Sequence, residues 1–345
     1  MVNEPVTLAT LAEHLKVSKT TISKALRNQP GISSGMKRKV RNLARELNYT
    51  PNFAGQMLRS EKINTVGALI TLDVTNSWLS EMVSCLEDEL DKHGQTMLLT
   101  LGKNNPDKLD RCIDQLSGGR VSGIIAGPYY NPSSLNSLIN LINRKIPVVA
   151  FNCMYDLPID RIQIDLKAGA ELAVEYLYQC GHRNIGFLCS PAHVMESFSG
   201  SRRAAFQEAM IKHELPLKGK FLIDGPSYVR GGMEAMLNLL DKYPKDELPT
   251  AFVCQNDAAA DGAMRAIYKR GYKVPEDFSI IGFDNLKESG MTITPLTTID
   301  GAMRQMAEEI VTTLMNKIEE PKRALVVKNV QPTLVERESV ATIKA

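Results

Sequence analysis

The chain has 345 residues, enough for two or three domains with proper cores, and its formal net charge is only +2. With 43% apolar and 23% charged residues, it has the composition of an ordinary globular protein. No run of eighteen apolar residues predicts a membrane span, and the N-terminus lacks the pattern of a signal peptide, so we expect a cytoplasmic protein. The six cysteines are scattered without a CxxC pair, which argues against a disulfide framework or a zinc site.

Residues 7–28 predict two short helices joined by a turn. Apolar residues recur at helical spacing in the first helix, namely Leu8, Leu11, Ala12 and Leu15. Ser18 can cap the second helix, and Ile22, Ala25 and Leu26 would face the first. The outward side chains are short or cationic, with no acid among them: Lys19, Thr20, Thr21, Ser23, Lys24 and Arg27. This pattern favours a DNA-reading helix-turn-helix, and an ordinary helical hairpin is the alternative.

The first 62 residues are strongly basic. They contain eleven Lys and Arg against four Glu, which gives +7, so the remaining residues sum to −5. Residues 35–47 predict a third amphipathic helix with basic residues on its outer side. Such asymmetry indicates a polyanion-binding module on a mildly acidic body, although a basic surface without a partner is possible.

A short linker follows this module. Pro51 forces Thr50 out of the helical region and ends the third helix. Residues 53–60 could form only about two helical turns, which are marginal in water without a partner.

From Thr65 the chain alternates apolar runs of strand length with helical stretches. The runs are residues 66–70, 96–101, 122–127 and 146–151, then 184–189, 220–224, 250–254 and 278–283. The predicted helices include residues 78–93, 106–117, 133–144 and 301–318, and two strands follow at 325–329 and 333–337. The series predicts an α/β body of two similar lobes, each a doubly wound parallel sheet.

Polar residues at the carboxyl ends of these strands are candidates for a ligand site, because open parallel sheets bind ligands there. They are Asp73, Asn152, Asn256, Asp257, Asp284 and Asn285, with Arg202 and the single tryptophan, Trp78, nearby. Carboxylates, amides and an arginine suit the hydroxyls of a sugar, and a tryptophan can stack on its apolar face. The alternatives are helix caps for Asn256 and Asp257, a surface role for Arg202 and a core role for Trp78.

The chain resembles the lac-repressor family of bacterial transcription regulators. The resemblance rests on VTLATLAEHLKVSKTTISKAL, LNYTPN, TVGALI, GHRNIGFL, QNDAAADGAMRAI, VPEDFSIIGFDN and PLTTI. It implies a helix-turn-helix head at 1–50, a hinge helix and linker at 51–62 and a two-lobe, periplasmic-binding-protein-like body at 63–345. Lobe 1 is then expected at about 63–163 and 297–324, and lobe 2 at about 164–296 and 325–340.

The resemblance also implies roles for residues of the head. Lys19, Thr20 and Lys24 would read bases, Ser18 would cap the recognition helix, and Thr21, Ser23, Asn28 and Ser33 would meet phosphates. The hinge helix would pair with its twin in the minor groove, where Leu58 wedges between base pairs beside Asn52 and Gln56. A linker in which Leu58 packs against the body is the alternative.

The sequence departs from the family pattern at several positions. Thr10 replaces an acid, Lys16 stands at a turn position where glycine is favoured, and Gly55 replaces alanine in the hinge. Lysine rarely adopts a positive φ, so Lys16 predicts a differently shaped turn. Pro226 stands where relatives often have an aromatic residue, and Tyr228 could substitute for it.

The function expected from these features is repression of transcription under the control of a small-molecule effector. We expect a homodimer on a near-palindromic operator, no tetramer-forming tail, and an effector bound between the lobes by Asp73, Trp78, Asn152, Arg202, Asn256, Asp257 and Asp284. A sugar or sugar derivative is favoured over a nucleobase. The alternatives are a sugar receptor without DNA regulation and a two-lobe enzyme, although enzyme motifs are missing and no cofactor or metal is expected.

Overall fold

The structure of the protein is a computed structural model that describes residues 6–26, 28–47, 49, 63–73, 77–129, 134–153, 155–189 and 202–343. The chain forms two compact units, Met1–Ile63 and Asn64–Ala345. They are called the head and the body below. No described helix is long and apolar enough to cross a membrane.

The described part of the head contains three helices around one small core. They are α1 (Leu8–Leu15), α2 (Lys19–Leu26) and α3 (Ser34–Glu46). Leu11, Ile22, Ala25 and Val40 are fully buried, and Leu8, Leu15 and Leu26 pack around them. The apolar stripes predicted from the sequence therefore meet in this core, and each fully buried leucine or isoleucine contributes about 1.5–3 kcal/mol.

Lobe 1 of the body is built on a six-stranded sheet with helices on both faces. Its strands are β1 (Thr65–Ile70), β2 (Thr96–Leu101), β3 (Gly123–Gly127), β4 (Val148–Phe151), β5 (Asp160–Ile164) and β11 (Val327–Val330). Its helices are α4 (Ser77–Lys92), α5 (Pro106–Ser117), α6 (Leu135–Asn143) and α11 (Met303–Glu319). The strand order is β11-β5-β4-β3-β1-β2, and all pairs are parallel.

Lobe 2 has a second six-stranded sheet. Its strands are β6 (Ile185–Cys189), β7 (Leu222–Asp224), β8 (Ala251–Cys254), β9 (Ser279–Phe283), β10 (Thr297–Asp300) and β12 (Thr333–Val335). Its helices are α7 (Leu166–Gln179), α8 (Arg202–Lys212), α9 (Val229–Lys242) and α10 (Asp257–Lys269). The order is β12-β10-β9-β8-β6-β7, and only the pair of β10 with β12 is antiparallel.

Each sheet separates two apolar cores. In lobe 1, α4 and α11 cover one face while α5 and α6 cover the other; in lobe 2, α9 and α10 lie opposite α7 and α8. Central strands such as β3, β8 and β9 are buried along their whole length. This burial explains why they appear in the sequence as continuous apolar runs.

The boundaries expected for the lobes differ from the observed strand pairing in the last third of the chain. The stretch 297–324 was expected in lobe 1, but β10 pairs with β9 and belongs to lobe 2. The stretch 325–340 was expected in lobe 2, but β11 pairs with β5 and belongs to lobe 1. A strand of three or four residues does not specify by its own sequence which sheet it joins, because its pairing partners in the folded chain determine this.

Strand β5 was not predicted at all. Its sequence, DRIQI, places only two apolar residues in alternation with polar ones, and its burial is partial. It therefore lacks the continuous apolar run that marks the other predicted strands. Residues 220–224 were predicted as one strand, but Gly219–Phe221 forms a 3-10 turn before β7.

Candidate functional site

The start of α1 is fixed by a reciprocal cap between two threonines. The Thr10 amide donates to Thr7 Oγ1 at 3.3 Å, and the Thr7 amide donates to Thr10 Oγ1 at 3.1 Å. Thr10 therefore does the work that an acid or amide side chain normally does in a capping box. Its departure from the family pattern leaves the helix start intact.

The turn between α1 and α2 contains Lys16 in the left-handed conformation, with φ 52° and ψ 43°. The Val17 amide donates to the Ala12 carbonyl at 3.0 Å and closes the end of α1. Lys16 thus adopts the conformation that its residue type made improbable, at a cost of about 1–2 kcal/mol relative to a right-handed residue. The turn needs no glycine to form.

Helix α2 presents the side chains expected to read DNA. Lys19, Thr20 and Lys24 are exposed, and no described residue forms an ion pair with either lysine. Thr21 and Ser23 are half-buried, while the Ser18 hydroxyl accepts from the Thr21 amide at 3.0 Å and so caps the helix. The exposed face of α2 therefore contains fewer of the predicted side chains than the sequence indicated, and it carries no acidic residue.

The end of α2 and the start of α3 lie against each other. Asn28 takes a left-handed conformation (φ 58°), and its carbonyl accepts a hydrogen bond from Lys37 Nζ at 3.0 Å. Ser33 caps α3 by accepting from the Met36 amide at 3.3 Å. Both Asn28 and Ser33 are exposed, and Ser33 lies at the N-terminus of α3, the end of a helix that attracts a phosphate. The hinge candidates Asn52, Gln56 and Leu58 lie outside the described residues.

In lobe 2, Arg202 joins the ends of two neighbouring strands. Its Nη2 donates to Asp284 Oδ1 at 3.3 Å, just after β9, and its Nη1 donates to the Gln255 carbonyl at 2.5 Å, just after β8. The guanidinium carbon also lies 4.2 Å from the centre of the Phe283 ring, a cation–π contact. The structure thus brings together Arg202 and Asp284, which the sequence predicted as partners in one site.

Asp284 is an acid in an environment that opposes its ionisation. Only 7% of the residue is exposed, and burial raises the pKa of Asp284 to about 8, even though the Arg202 guanidinium pulls it down. Its backbone has φ 116°, and its amide donates to the Ile299 carbonyl at 2.8 Å. A carboxyl group in this state can both donate and accept hydrogen bonds, as a hydroxyl-bearing ligand requires.

Asn256 and Asp257, at the start of α10, face structural partners. Asn256 caps α10 by accepting from the Ala259 amide at 2.9 Å, and its Nδ2 donates to the Ser227 carbonyl at 2.9 Å. The Asp257 carboxylate accepts hydrogen bonds from three groups of the same lobe: Thr298 Oγ1 at 2.5 Å, Ser289 Oγ at 2.5 Å and the Leu286 amide at 2.9 Å.

Asp257 is buried and its carboxylate is engaged within lobe 2, so these contacts support a structural role and none of them supports its predicted effector role. Both of its carboxylate oxygens hold the turn at residues 286–289 and strand β10 in place. Burial raises the pKa of Asp257 to about 6, against the lowering effect of these hydrogen bonds. Helix capping, the alternative weighed for Asn256, is observed.

The candidates from lobe 1 lie at the carboxyl edge of its sheet but make local contacts. Asp73 forms an ion pair with Lys103 at 3.1 Å, and Asn152 Oδ1 accepts from the Ile164 amide at 3.2 Å. Trp78 is half-buried on α4 and packs against the lobe 1 core, as its core interpretation predicted. No described hydrogen bond or ion pair joins these three residues to Arg202 or Asp284.

Three residues that make contacts at the carboxyl edges of the two sheets were not predicted from the sequence. Lys103 follows β2 at the same edge as Asp73, so the rule that located Asp73 could also have found it. Gln255 contributes through its backbone carbonyl and Phe283 through its ring, and neither residue type carries a signal for such a role. Tyr228, the residue before α9, is 55% exposed.

A cleft of about 330 Å³ lies where the two lobes meet. Its walls come from α4 and the start of α11 in lobe 1, and from the 3-10 turn Lys287–Gly290 in lobe 2. Lys287 Nζ lies 3.7 Å from Glu81 Oε1 across it. None of the predicted effector residues lines this cleft. Among the described residues, no group of His, Cys, Asp or Glu could hold a metal ion.

Comparison with known families matches both parts of the chain. The model of bacterial regulatory proteins of the lacI family matches residues 7–52, and the model of periplasmic binding protein-like domains matches residues 174–340. A helix-turn-helix head on such a body defines a class of protein, the DNA-binding transcriptional regulators.

Similar proteins cover nearly the full length of the chain. The probable HTH-type transcriptional repressor ExuR of Bacillus subtilis is 32% identical over 92% of this chain and 93% of its own. The HTH-type transcriptional repressor PurR of Pasteurella multocida is 30% identical over 97% of this chain and 98% of its own. The lac repressor dimer bound to operator and the anti-inducer ONPF has a TM-score of 0.81 at 25% identity, covering 98% of this chain and 100% of that one.

The chain belongs to the lacI family of bacterial regulatory proteins. It is a DNA-binding transcriptional regulator with an effector-binding body, and the expected fold, a helix-turn-helix head with a two-lobe α/β body, is confirmed. The members of the family named above are repressors rather than enzymes.

Proposed function

We propose that the protein is a cytoplasmic repressor that binds a near-palindromic operator as a homodimer and responds to a neutral, hydroxyl-rich effector. The observation that carries the proposal is that one chain has both an acid-free exposed face on α2 and the Arg202–Asp284 site in lobe 2. The first supplies contacts to DNA, and the second supplies hydrogen bonds for a ligand. A receptor that only binds sugar would not need the basic head.

The base-reading role is assigned to Lys19, Thr20 and Lys24, which are exposed on α2. Lysine donates most naturally to guanine in the major groove, and the apolar side of α2 is anchored by the buried Ile22 and Ala25. The phosphate-contacting role is assigned to Thr21, Ser23, Asn28 and Ser33, together with the basic side of α3. The hinge residues Asn52, Gln56 and Leu58 keep their proposed place in the minor groove.

Self-association through the body is supported by exposed apolar side chains. Met291 and Ile293 in lobe 2 are 82% and 83% exposed, and Leu98 and Leu99 on β2 are also exposed. Isolated apolar residues are common on surfaces, and we assign these to a dimer contact because the lac repressor, which shares the fold, forms a dimer. A dimer would place two α2 helices on the two half-sites of the operator.

The DNA-binding proposal predicts different effects for two lysines of the head. Lys24→Ala should cost about 1–3 kcal/mol on the operator and relax sequence discrimination, because a base contact is lost. Lys39→Ala on α3 should weaken specific and random DNA alike and reduce the salt slope by about one, because only a phosphate contact is lost.

Fluorescence anisotropy on a selected operator and on random duplex, over a range of salt concentrations, measures both effects. The operator comes from in vitro selection with the full chain. If no sequence is enriched, or if Lys24→Ala weakens both duplexes equally, the base-reading role is refuted.

The effector proposal concerns Arg202 and Asp284. Arg202→Ala should abolish binding of any neutral sugar that raises the melting temperature of the wild-type chain, because it removes the guanidinium that donates to Asp284 and to the Gln255 carbonyl. The matched control is Arg203→Ala, since Arg203 pairs with Asp224 and touches neither Asp284 nor Gln255 among the described contacts.

Calorimetry with a panel of neutral mono- and disaccharides, with purine bases as the rival class, provides the measurement. Equal loss in both variants would show that the arginines only support the fold. Binding of purines and no sugar would replace the carbohydrate proposal with the nucleobase alternative.

A further inference from the structure

The chain passes between the two lobes three times. It crosses between β5 and α7, between β10 and α11, and between β11 and β12. The second crossing is short, because only Gly301 and Ala302 separate the last residue of β10 from the first residue of α11. Any rearrangement at the end of β10 is therefore passed to α11 within two residues.

Asp300, the last residue of β10, accepts hydrogen bonds from two different segments through its two carboxylate oxygens. Its Oδ1 accepts a hydrogen bond from the Ala302 amide at 2.7 Å, and its Oδ2 accepts one from Asn285 Nδ2 at 2.9 Å. Asn285 Oδ1 in turn accepts from Arg337 Nη2 at 2.6 Å. The Asp300 carboxylate thus connects the second crossing to the turn that follows β9, beside the bond from the Asp284 amide to the Ile299 carbonyl at 2.8 Å.

Both ends of this connection hold residues in unfavourable backbone conformations. Asp284 and Asn285 have φ values of 116° and 52°, and Ala302 has a φ of 49°. Such residues cost on the order of 1–3 kcal/mol each and persist only where neighbouring contacts hold them. Alanine has no polar side chain of its own for this purpose, so the Asp300 carboxylate is the group that holds Ala302 at its amide.

Asn285 directly follows Asp284, whose carboxyl group is the partner of Arg202. A ligand that turns the Asp284 carboxyl group or its peptide therefore acts on the same turn that Asp300 holds. On the other side, α11 packs through Met306, Ile310 and Leu314 into the core of lobe 1. The contacts form a continuous path from the effector site of lobe 2 to the core of lobe 1.

We propose that Asp300 is a positioning residue that couples the Asp284–Asn285 turn to the crossing at Gly301–Ala302, and through it to α11 and lobe 1. The proposal rests on the function proposed for Arg202 and Asp284, because it assigns them the input. Gly301 strengthens the path, since a Cβ at this position would lie 2.7 Å from Ile164 Cδ1 of the first crossing. The second crossing is therefore packed against the end of β5, where the first crossing begins.

The test requires no effector, because a mutation at the site takes its place. In the full-length chain, Arg202→Ala should change hydrogen–deuterium exchange both at residues 284–288 and at residues 301–306. With Asp300→Ala as background, the change at 301–306 should vanish while the change at 284–288 remains. Asp300→Ala alone should speed exchange of the Ala302 amide by a factor on the order of ten, because its acceptor is lost.

Two further variants keep the result interpretable. Asn285→Ala breaks the link to the turn but leaves the bond between Asp300 and Ala302, so it should uncouple the two segments with little effect on Ala302 itself. Asp165→Ala is the matched control: Asp165 also lies at a crossing, caps α7 through the Ala168 amide at 3.0 Å and accepts from Gln331 Nε2 at 3.3 Å. It should leave the response to Arg202→Ala intact.

The proposal is overturned if Arg202→Ala does not alter exchange at 301–306 in the wild-type background. It is equally overturned if the response survives in both Asp300→Ala and Asn285→Ala. Because no ligand is used, either result is independent of the sugar-binding experiment. If the two segments respond together but the chain binds no sugar, the coupling proposal stands and only the proposed class of effector is refuted.

Discussion

At the scale of single residues, burial and pairing with Arg202 have opposite effects on the pKa of Asp284. Arg202 contacts its carboxyl group, yet burial raises the pKa of Asp284 to about 8. Since the pKa in the folded chain lies above the ordinary value of 3.8, folding favours the protonated form. Its contribution to stability is fully present below pH 3.8 and is lost as the pH rises through about 8.

The substitution Asp284→Asn tests this balance, because asparagine stays neutral at every pH. The stability of the variant relative to the wild type should increase as the pH rises from 7 to 9. In this range the buried carboxyl group of the wild type ionises, which destabilises the wild type alone. Melting temperatures measured in that window give the difference.

Asp246→Asn serves as the control, since Asp246 is exposed in the same lobe. A difference between Asp284→Asn and wild type that stays constant from pH 7 to pH 9 would show that Asp284 is ionised throughout. The window avoids His182, because burial lowers the pKa of His182 and its effect on stability appears below pH 6.5.

The sequence indicated which residues follow the strands, but not where their side chains point. Asp257 and Asp284 both come soon after a buried strand and were predicted to serve the same site. The structure turns Asp257 inward because Ser289 and Thr298 fold back over it, and these donors lie 32 and 41 residues away in the sequence. Strand position was predictable, while side-chain direction depended on distant segments.

At the scale of secondary-structure elements, the returning strand β11 is held by a buried charge. Asp160 at the start of β5 is 1% exposed, and its Oδ1 accepts from Arg323 Nη1 at 3.0 Å and from the Val326 amide at 2.7 Å. Lys317 Nζ lies 3.8 Å from Oδ2. The carboxylate thus joins α11, the segment that follows it and the edge strand that ends lobe 1.

Asp160→Ala should destabilise the body strongly, by about 3–5 kcal/mol, because two cations are left without their buried partner. Chemical denaturation followed by circular dichroism measures the loss. Asp156→Ala is the matched control, since Asp156 pairs with Arg161 of the same strand but its side chain is 97% exposed. That variant should lose no more than about 1 kcal/mol. Similar losses in the two variants would contradict the role given to Asp160.

Strands with continuous apolar runs were predictable, whereas the sheet that a strand joins was not. Strands β1, β3 and β4 appear as apolar runs because their side chains are almost entirely buried. Strand β11 is exposed at Val327, Lys328 and Asn329, so its sequence does not record which sheet it joins. Strand β5 was missed because polar residues interrupt its sequence. Strand β10 is buried, and its pairing with β9 rather than its own sequence places it in lobe 2.

At the scale of the whole molecule, the division into head and body was visible as a change in charge and periodicity at about residue 62. The head has an apolar repeat of helical spacing, and the body has alternating strands and helices, so each unit was predictable from local patterns. The three crossings were expected only through the resemblance to a family. Nothing local in Ile164, Asp300 or Val330 distinguishes a crossing from an ordinary loop.

The triple crossing has a consequence for how such a gene can be recombined. A new head can be attached by a single splice before residue 64, because the body folds from one continuous stretch. Exchanging one lobe would demand three coordinated splices, near residues 165, 301 and 331. We therefore expect operator specificity to be transplanted readily between relatives, whereas lobes are inherited together and acquire new ligands by point substitution.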